Sequence, residues 1–153
     1  MASGTGNYTV KGAAQTISTA ITILTVAAPA AGALFVDRVW VNQTTVTAVG
    51  TRTRVQILRK AAAITGTASP PTPTPLNGTQ TSQTTVAWIA TAEGTDGNVL
   101  YDEAFDYVPG YLWIPVNARE RIWVPPSGII GIKFPVAPTS ASWEFGISFE
   151  EMD

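Results

Sequence analysis

Asp102, Glu103 and Asp106, set between Tyr101 and Tyr107, are the carboxylates best placed to do chemistry. Paired carboxylates cleave glycosidic bonds when they are held a short distance apart and one of them is desolvated. Such pairs usually come from different elements, whereas these three bracket one turn, where acidic residues are common for ordinary reasons. Asp96, Asp102 and Asp106 raise the question of calcium, but their spacing matches no loop of known ligand geometry. Other routes to catalysis are closed by composition. The chain has no cysteine and no histidine, which removes thiolate nucleophiles, zinc and iron–sulfur sites, and the commonest general base. Its serines lack a histidine or lysine partner in a recognisable arrangement, and no glycine loop suited to phosphate appears. Neither an enzymatic role nor a cofactor is expected.

The aromatic residues offer a different chemistry, that of contact. Trp40, Trp88, Trp113, Trp123 and Trp143 each fall in a segment with strand character. Most are expected to fill a core, since each buries a large area. Trp113 and Trp123 lie on strands expected over 111–116 and 121–124, close together across a short turn. The two cannot both point inward in every register, so one of them is a candidate for stacking on a partner or a sugar.

The elements that hold these residues read as strands. Beyond a short strand at 8–11, the pattern gives 16–26, 33–42, 51–60, 84–90, 99–101, 111–116, 121–124, 128–134 and 142–150, separated by glycine, proline and asparagine turns. No window keeps an apolar period of 3.6 residues. Eight or nine closely spaced strands predict an all-β fold: a single antiparallel β-sandwich or jelly roll. Residues 1–15 are expected to form an extended N-terminal arm and residues 16–153 the sandwich domain. Within the domain, 61–83 carries Pro70, Pro71, Pro73 and Pro75 and then Asn77-Gly78. It predicts a polyproline-like loop that is either functional or an excursion over a neighbour.

Length and charge bound the rest. A chain of 153 residues fits one domain, burying roughly 70% of the surface its unfolded form exposes. Only 13% of residues are charged while 45% are hydrophobic, against a usual charged share of about 25%. Such a sparsely charged, threonine-rich surface suits a sheet protein that expects neighbours. Charge is also uneven. Lys11, Arg38, Arg52, Arg54, Arg59 and Lys60 face only Asp37 in residues 1–92, whereas ten carboxylates outnumber Arg119, Arg121 and Lys133 in 93–153. Either the halves interleave and cancel locally, or one face is basic and another acidic and copies dock by complementary fields. Nucleic acid is not expected as a partner, because the basic residues form no dense patch and the net charge is −2. The uncharged run 17–36 resembles a signal or spanning segment, but its threonines, Pro29 and Gly32 interrupt it, so no membrane association is expected.

Several stretches in order resemble a known family: a glycine-rich start, Tyr8-Thr9-Val10-Lys11-Gly12-Ala13-Ala14-Gln15-Thr16, and a strand ending at Ala27-Ala28-Pro29. Arg52-Thr53-Arg54-Val55-Gln56-Ile57-Leu58-Arg59 and the proline-rich loop follow. The chain closes with Trp123-Val124-Pro125-Pro126-Ser127-Gly128 and Ser142-Trp143-Glu144-Phe145-Gly146-Ile147-Ser148-Phe149-Glu150-Glu151. Over nearly its whole length the chain resembles the jelly-roll capsid decoration (cement) proteins of tailed bacteriophages. The resemblance implies a homo-oligomer, a trimer at local three-fold positions on the outer capsid surface of a virion assembled in the host cytoplasm. Its partner would be the major capsid protein, and its arms would grip neighbouring subunits. The candidate capsid or subunit contacts are Thr5, Tyr8, Val10, Lys11, Arg52, Arg54, Arg59, Trp113 and Trp123. The competing reading is a carbohydrate- or receptor-binding jelly roll of a phage fibre or attachment protein, using Trp113 or Trp123; a secreted bacterial binding module is a third.

Overall fold

The computed structural model describes residues 6–45 and 51–152. Twelve strands form two antiparallel sheets that enclose one apolar core. They are β1 (Gly6–Lys11), β2 (Gln15–Ile17), β3 (Ile21–Ala27), β4 (Ala33–Gln43), β5 (Arg52–Ala62), β6 (Thr74–Pro75), β7 (Thr85–Trp88), β8 (Thr95–Asp106), β9 (Tyr111–Trp113), β10 (Ile122–Val124), β11 (Ile129–Phe134) and β12 (Ala141–Met152). The first sheet runs β10-β4-β12-β1-β6, with β2 beside β12 and β9 beside β4; the second runs β7-β3-β11-β5-β8. All-β architecture and the β-sandwich thus match the sequence expectation. The apolar run at 17–36 is split among β2, β3 and β4, and no helix among the described residues is long and apolar enough to cross a membrane.

Two pairs of short strands behave as single interrupted ones. β1 and β2 both lie along β12, opposite residues 146–151 and 141–143. β9 and β10 both lie along β4, opposite 39–41 and 34–36. Between the sheets, Trp88 of β7 stacks on Phe145 of β12 with ring centroids 4.2 Å apart. Trp143 is fully buried and meets the rings of Phe105, Tyr107 and Phe134. These large side chains fill the space that alternating strand residues leave between two sheets.

The arm expected over residues 1–15 is corrected over residues 6–11 by this pairing. Residues 6–11 form β1, a strand of the first sheet, with Tyr8 and Val10 fully buried against it. The alternation Tyr8-Thr9-Val10-Lys11 puts apolar groups inward and polar ones outward, as a half-buried strand requires. Thr5 lies outside the described residues.

The proline-rich segment is a strap over the chain's own body. Thr74 and Pro75 pair with Thr9 and Tyr8, and the Leu76 N–H donates to the Asn7 carbonyl at 2.7 Å. Further on, the Ser82 and Thr84 hydroxyls donate to Glu151 Oε2 at 2.5 and 2.6 Å, and the Gln83 N–H donates to Oε1 at 2.9 Å. Glu151 has the inward parity of Trp143, Phe145, Ile147 and Phe149, so its buried carboxylate closes one end of the sandwich. The strap thereby covers the β1 edge, which would otherwise offer unpaired backbone to other chains.

Candidate contact face

The exposed aromatic groups gather on the outer face of the first sheet, and a bulge in β4 puts them there. Across β12, Ser148 opposes Arg38 while Phe149 opposes Val36, so Asp37 is an extra residue. Before it Leu34 and Val36 point inward; after it Val39 and Val41 do. A bulge of this kind changes which residues face which side. Trp113 opposes Val39 and is buried, whereas Trp123 opposes Phe35 and is 49% exposed. The expected hairpin between the two tryptophans is therefore corrected. Their strands lie in line, four β4 positions apart, or roughly 13 Å at the usual strand rise.

Phe35 and Trp40 join Trp123 on this face. Trp40 lies opposite Gly146, where any added Cβ would sit 2.3 Å from the indole and 2.4 Å from the Val10 carbonyl. Glycine is required there so that the ring can lie flat on the sheet. The Arg38 guanidinium covers the Trp40 ring, and Arg121 covers Phe35, each 4.8 Å from the ring centroid. Arg121 is held by Asp37, to which Nη2 donates at 3.1 Å, and by Glu150 at 2.7 Å. Burial opposes its charge, but the Glu150 and Asp37 carboxylates outweigh burial and hold it more firmly protonated than a free arginine. Beyond Arg121 the face ends in an open apolar shelf, a cavity of about 390 Å³ lined by Ala33, Phe35, Trp123, Pro126 and Met152 among others. The Arg59 Nη2 donates to the Trp123 carbonyl at 2.8 Å, tying β10 to the second sheet.

Of the described candidate residues, the structure brings Arg59 and Trp123 together from distant parts of the chain, while Tyr8, Val10 and Lys11 share β1 and Arg52 and Arg54 share β5. Tyr8, Val10 and Trp113 are core residues, which corrects their assignment as contacts. Lys11 lies exposed on the outer face of the first sheet, ion-paired with Glu144. Arg52 and Arg54 lie on the second sheet and pair with Asp106 and Asp102 at 2.9 and 2.5 Å. Sequence reading missed Phe35, Asp37, Trp40, Arg121, Glu150 and Met152 as members of this face. The spacing of Arg38 and Trp40 could have signalled a shared side; the bulge beside them could not be read.

Charge interleaves; it does not separate into opposite faces. The 89–94 segment crosses the second sheet, with the Ile89 and Ala90 N–H groups donating to the Ile23 and Thr22 carbonyls. Glu93 there accepts from the Thr22 N–H at 2.7 Å and the Thr22 hydroxyl at 2.5 Å. Lys60, its side chain fully buried, contacts Asp96 and lies 3.5 Å from Glu93, while Lys133 donates to Asp96 at 2.5 Å. Burial pushes the Glu93 and Asp96 carboxyls up, but the Thr22 donors and the two lysines outweigh it and hold both below their ordinary values.

The carboxylates singled out for chemistry are engaged in the same way. Gln56 and Arg54 hold Asp102 below its ordinary value, the direction opposite to what a glycosidic general acid needs. Glu103 stands beside the Tyr111 phenol, which burial and that carboxylate push well above its usual value. Asp96, Asp102 and Asp106 are strung along β8, each beside its own basic partner, and among the described residues no group of three or more possible metal ligands comes together. Comparison of the chain with protein-family models, with curated proteins and with solved structures finds no match.

Proposed function

We propose that this chain is a jelly-roll structural protein of a phage virion, which decorates and stabilises the outer capsid surface as a homo-oligomer. Strand order supports the jelly-roll reading. Counting β1 with β2 and β9 with β10 as single strands, the path alternates between sheets except on the way from β5 to β8, which share the second sheet. It yields β10-β4-β12-β1 against β8-β5-β11-β3, with β7 added at the edge. Two interleaved Greek keys of this kind recur in viral capsid and lectin domains.

The observation that carries the adhesive role is the outer face of the first sheet. Phe35, Trp40, Trp123 and Met152 with Arg38 and Arg121 have the composition of an interface centre, where aromatic residues, methionine and arginine are enriched. Because residues 6–11 belong to the chain's own sheet, adhesion is assigned to this face and not to an arm. Several copies acting together would turn modest single contacts into strong attachment to a shell. The trimer and the major capsid protein as partner come from the resemblance. The experiment is binding of the purified chain to shells built from the major capsid protein of the phage that carries it. Saturable binding that falls about thirtyfold in Trp123→Glu, the loss of one interface hot spot of about 2 kcal/mol, supports the proposal. Absence of binding, or indifference to both Trp123→Glu and Trp40→Ala, overturns it.

A carbohydrate-binding jelly roll is the second reading, favoured by one observation: the half-exposed Trp123 indole near the polar trio Arg121, Asp37 and Glu150. Glycan-array binding that disappears in Trp123→Ala would select it.

A further inference from the structure

We propose that Asn77, at the crest of the strap, is a site of spontaneous covalent modification. Its side chain closes onto the Gly78 backbone nitrogen and reopens to aspartate and isoaspartate, with water as the only co-reactant. The inference is independent of how the protein adheres.

The chain has five asparagines, and their surroundings differ. Cyclisation requires the backbone nitrogen of the following residue to reach the side-chain carbon Cγ. A backbone fixed in a ladder, a side chain already hydrogen-bonded, or a bulky following residue each hinders that approach. Asn7 is paired with Glu150 and precedes the fully buried Tyr8. Asn42 is paired with Glu144 in β4, and its side chain lies against Gly110. Asn98 lies in β8 and precedes the branched Val99. Asn117 accepts from the Arg119 N–H at 2.9 Å and donates to Glu120 at 2.7 Å.

Asn77 escapes all of these restraints. It is exposed, lies outside every strand, and is the only asparagine followed by glycine. Among the described residues neither its amide nor the Gly78 N–H has a hydrogen-bond partner. Gly78 has φ +80° and nothing within 4 Å of where a Cβ would stand. Its nitrogen is unshielded by any side chain of its own, and glycine populates both signs of φ. The 77–78 peptide can therefore rotate into the cyclising geometry without displacing a neighbour. Asp96 also precedes a glycine, but its carboxylate is engaged by Lys60 and Lys133, and a carboxylate anion is a poor electrophile.

In the first step the Gly78 nitrogen loses its proton to solvent and bonds to Asn77 Cγ. The Cγ–Nδ2 bond breaks, and ammonia leaves with a proton taken from solvent, closing a succinimide ring. Water then adds to either ring carbonyl. One opening restores the main chain as aspartate; the other routes it through the side chain as isoaspartate, longer by a methylene. No oxidant or reductant takes part. Either product adds one negative charge to the net −2. The change falls in the unpaired span between two anchors, Leu76 on Asn7 and Ser82 to Thr84 on Glu151, so the strap's surface alters while the sandwich stays folded.

The test incubates the whole chain at mildly acidic and mildly alkaline pH and follows each asparagine by peptide mapping, with isoaspartyl methyltransferase scoring isoaspartate. Deamidation at Asn77 should run about tenfold or more faster than at any other asparagine, a ratio that needs a barrier difference of only about 1.4 kcal/mol. It should accelerate with pH, because the nitrogen must shed its proton, and it should yield isoaspartate, which direct hydrolysis of the amide does not. Gly78→Ala should slow it about tenfold, since the methyl crowds the nitrogen and restricts φ. Deamidation at Asn77 no faster than at Asn117, aspartate formed without isoaspartate, or a Gly78→Ala rate equal to the parent's overturns the proposal.

Discussion

Replacing Glu151 with alanine tests whether the proline-rich strap is held from inside the sandwich. The carboxylate is fully buried and takes three donors from the strap: two hydroxyls and one backbone N–H. Hydrogen bonds to a charged group contribute about 1.5–3 kcal/mol each, and donors left buried without an acceptor cost a similar amount. Ser82 and Thr84 lie at the sandwich end, where water can reach part of what the carboxylate leaves, so the net cost is about 3 kcal/mol. For a domain of this size that lowers the melting temperature by about 6–12 °C. Calorimetry measures the shift, and limited proteolysis between residues 76 and 84 reports release of the strap. A cycle with Ser82→Ala and Thr84→Ala separates the contact from the cavity: both should cost stability in the native background and almost none after Glu151→Ala. A melting temperature within about 2 °C of the parent with the strap still protected would refute the reasoning, since such a shift is under about 1 kcal/mol.

The two tryptophans of opposite exposure should separate stability from binding. Trp143→Ala should cost about 3–5 kcal/mol by denaturant titration, whereas Trp123→Ala should cost under about 1 kcal/mol and act on adhesion instead. Gly146→Ala should destabilise by about 2 kcal/mol or more and alter Trp40 fluorescence, because the new methyl has both a ring and a carbonyl in its way. Glu93 and Asp96 have folded-state values below their unfolded ones. Their contribution is therefore present above the unfolded carboxylate range and is lost as pH falls through it, between about pH 5 and 2. Melting temperature should be level above that window and decline within it, and Lys60→Met should flatten the decline while lowering the plateau.

Much of the sandwich could be read from alternation and turns, because period-two patterning needs no knowledge of neighbours. Failures arose where a distant partner decides. Residues 8–11 can be read as a short strand, but nothing in them shows that β12 of the same chain, and not a neighbour, is the pairing surface. Gly94 to Asn98 reads as a turn, yet β8 begins at Thr95 through irregular pairing with Lys60 and Ala62. Glu151 resembles an ordinary surface acid, and only the returning strap reveals it as an acceptor for three residues remote in sequence. The opposed charges of the two halves were visible, and β5 against β8 resolves them into local pairs. Of the contact face, Trp123 could be nominated but not chosen over Trp113, since a single extra residue at Asp37 decides between them.

That extra residue also has an evolutionary consequence. Upstream of Asp37 the chain offers Phe35 to the exterior, and downstream it offers Trp40, while Val36 and Val39 on either side of the extra residue point to the interior. Substitutions at Phe35, Trp123 and Met152 can thus change what this face displays at little cost to folding, whereas inserting or deleting a residue at a paired position of β4 would throw half of the strand out of phase. A lineage that varies this face should change the displayed side chains freely and keep the number of paired residues on either side of Asp37 fixed.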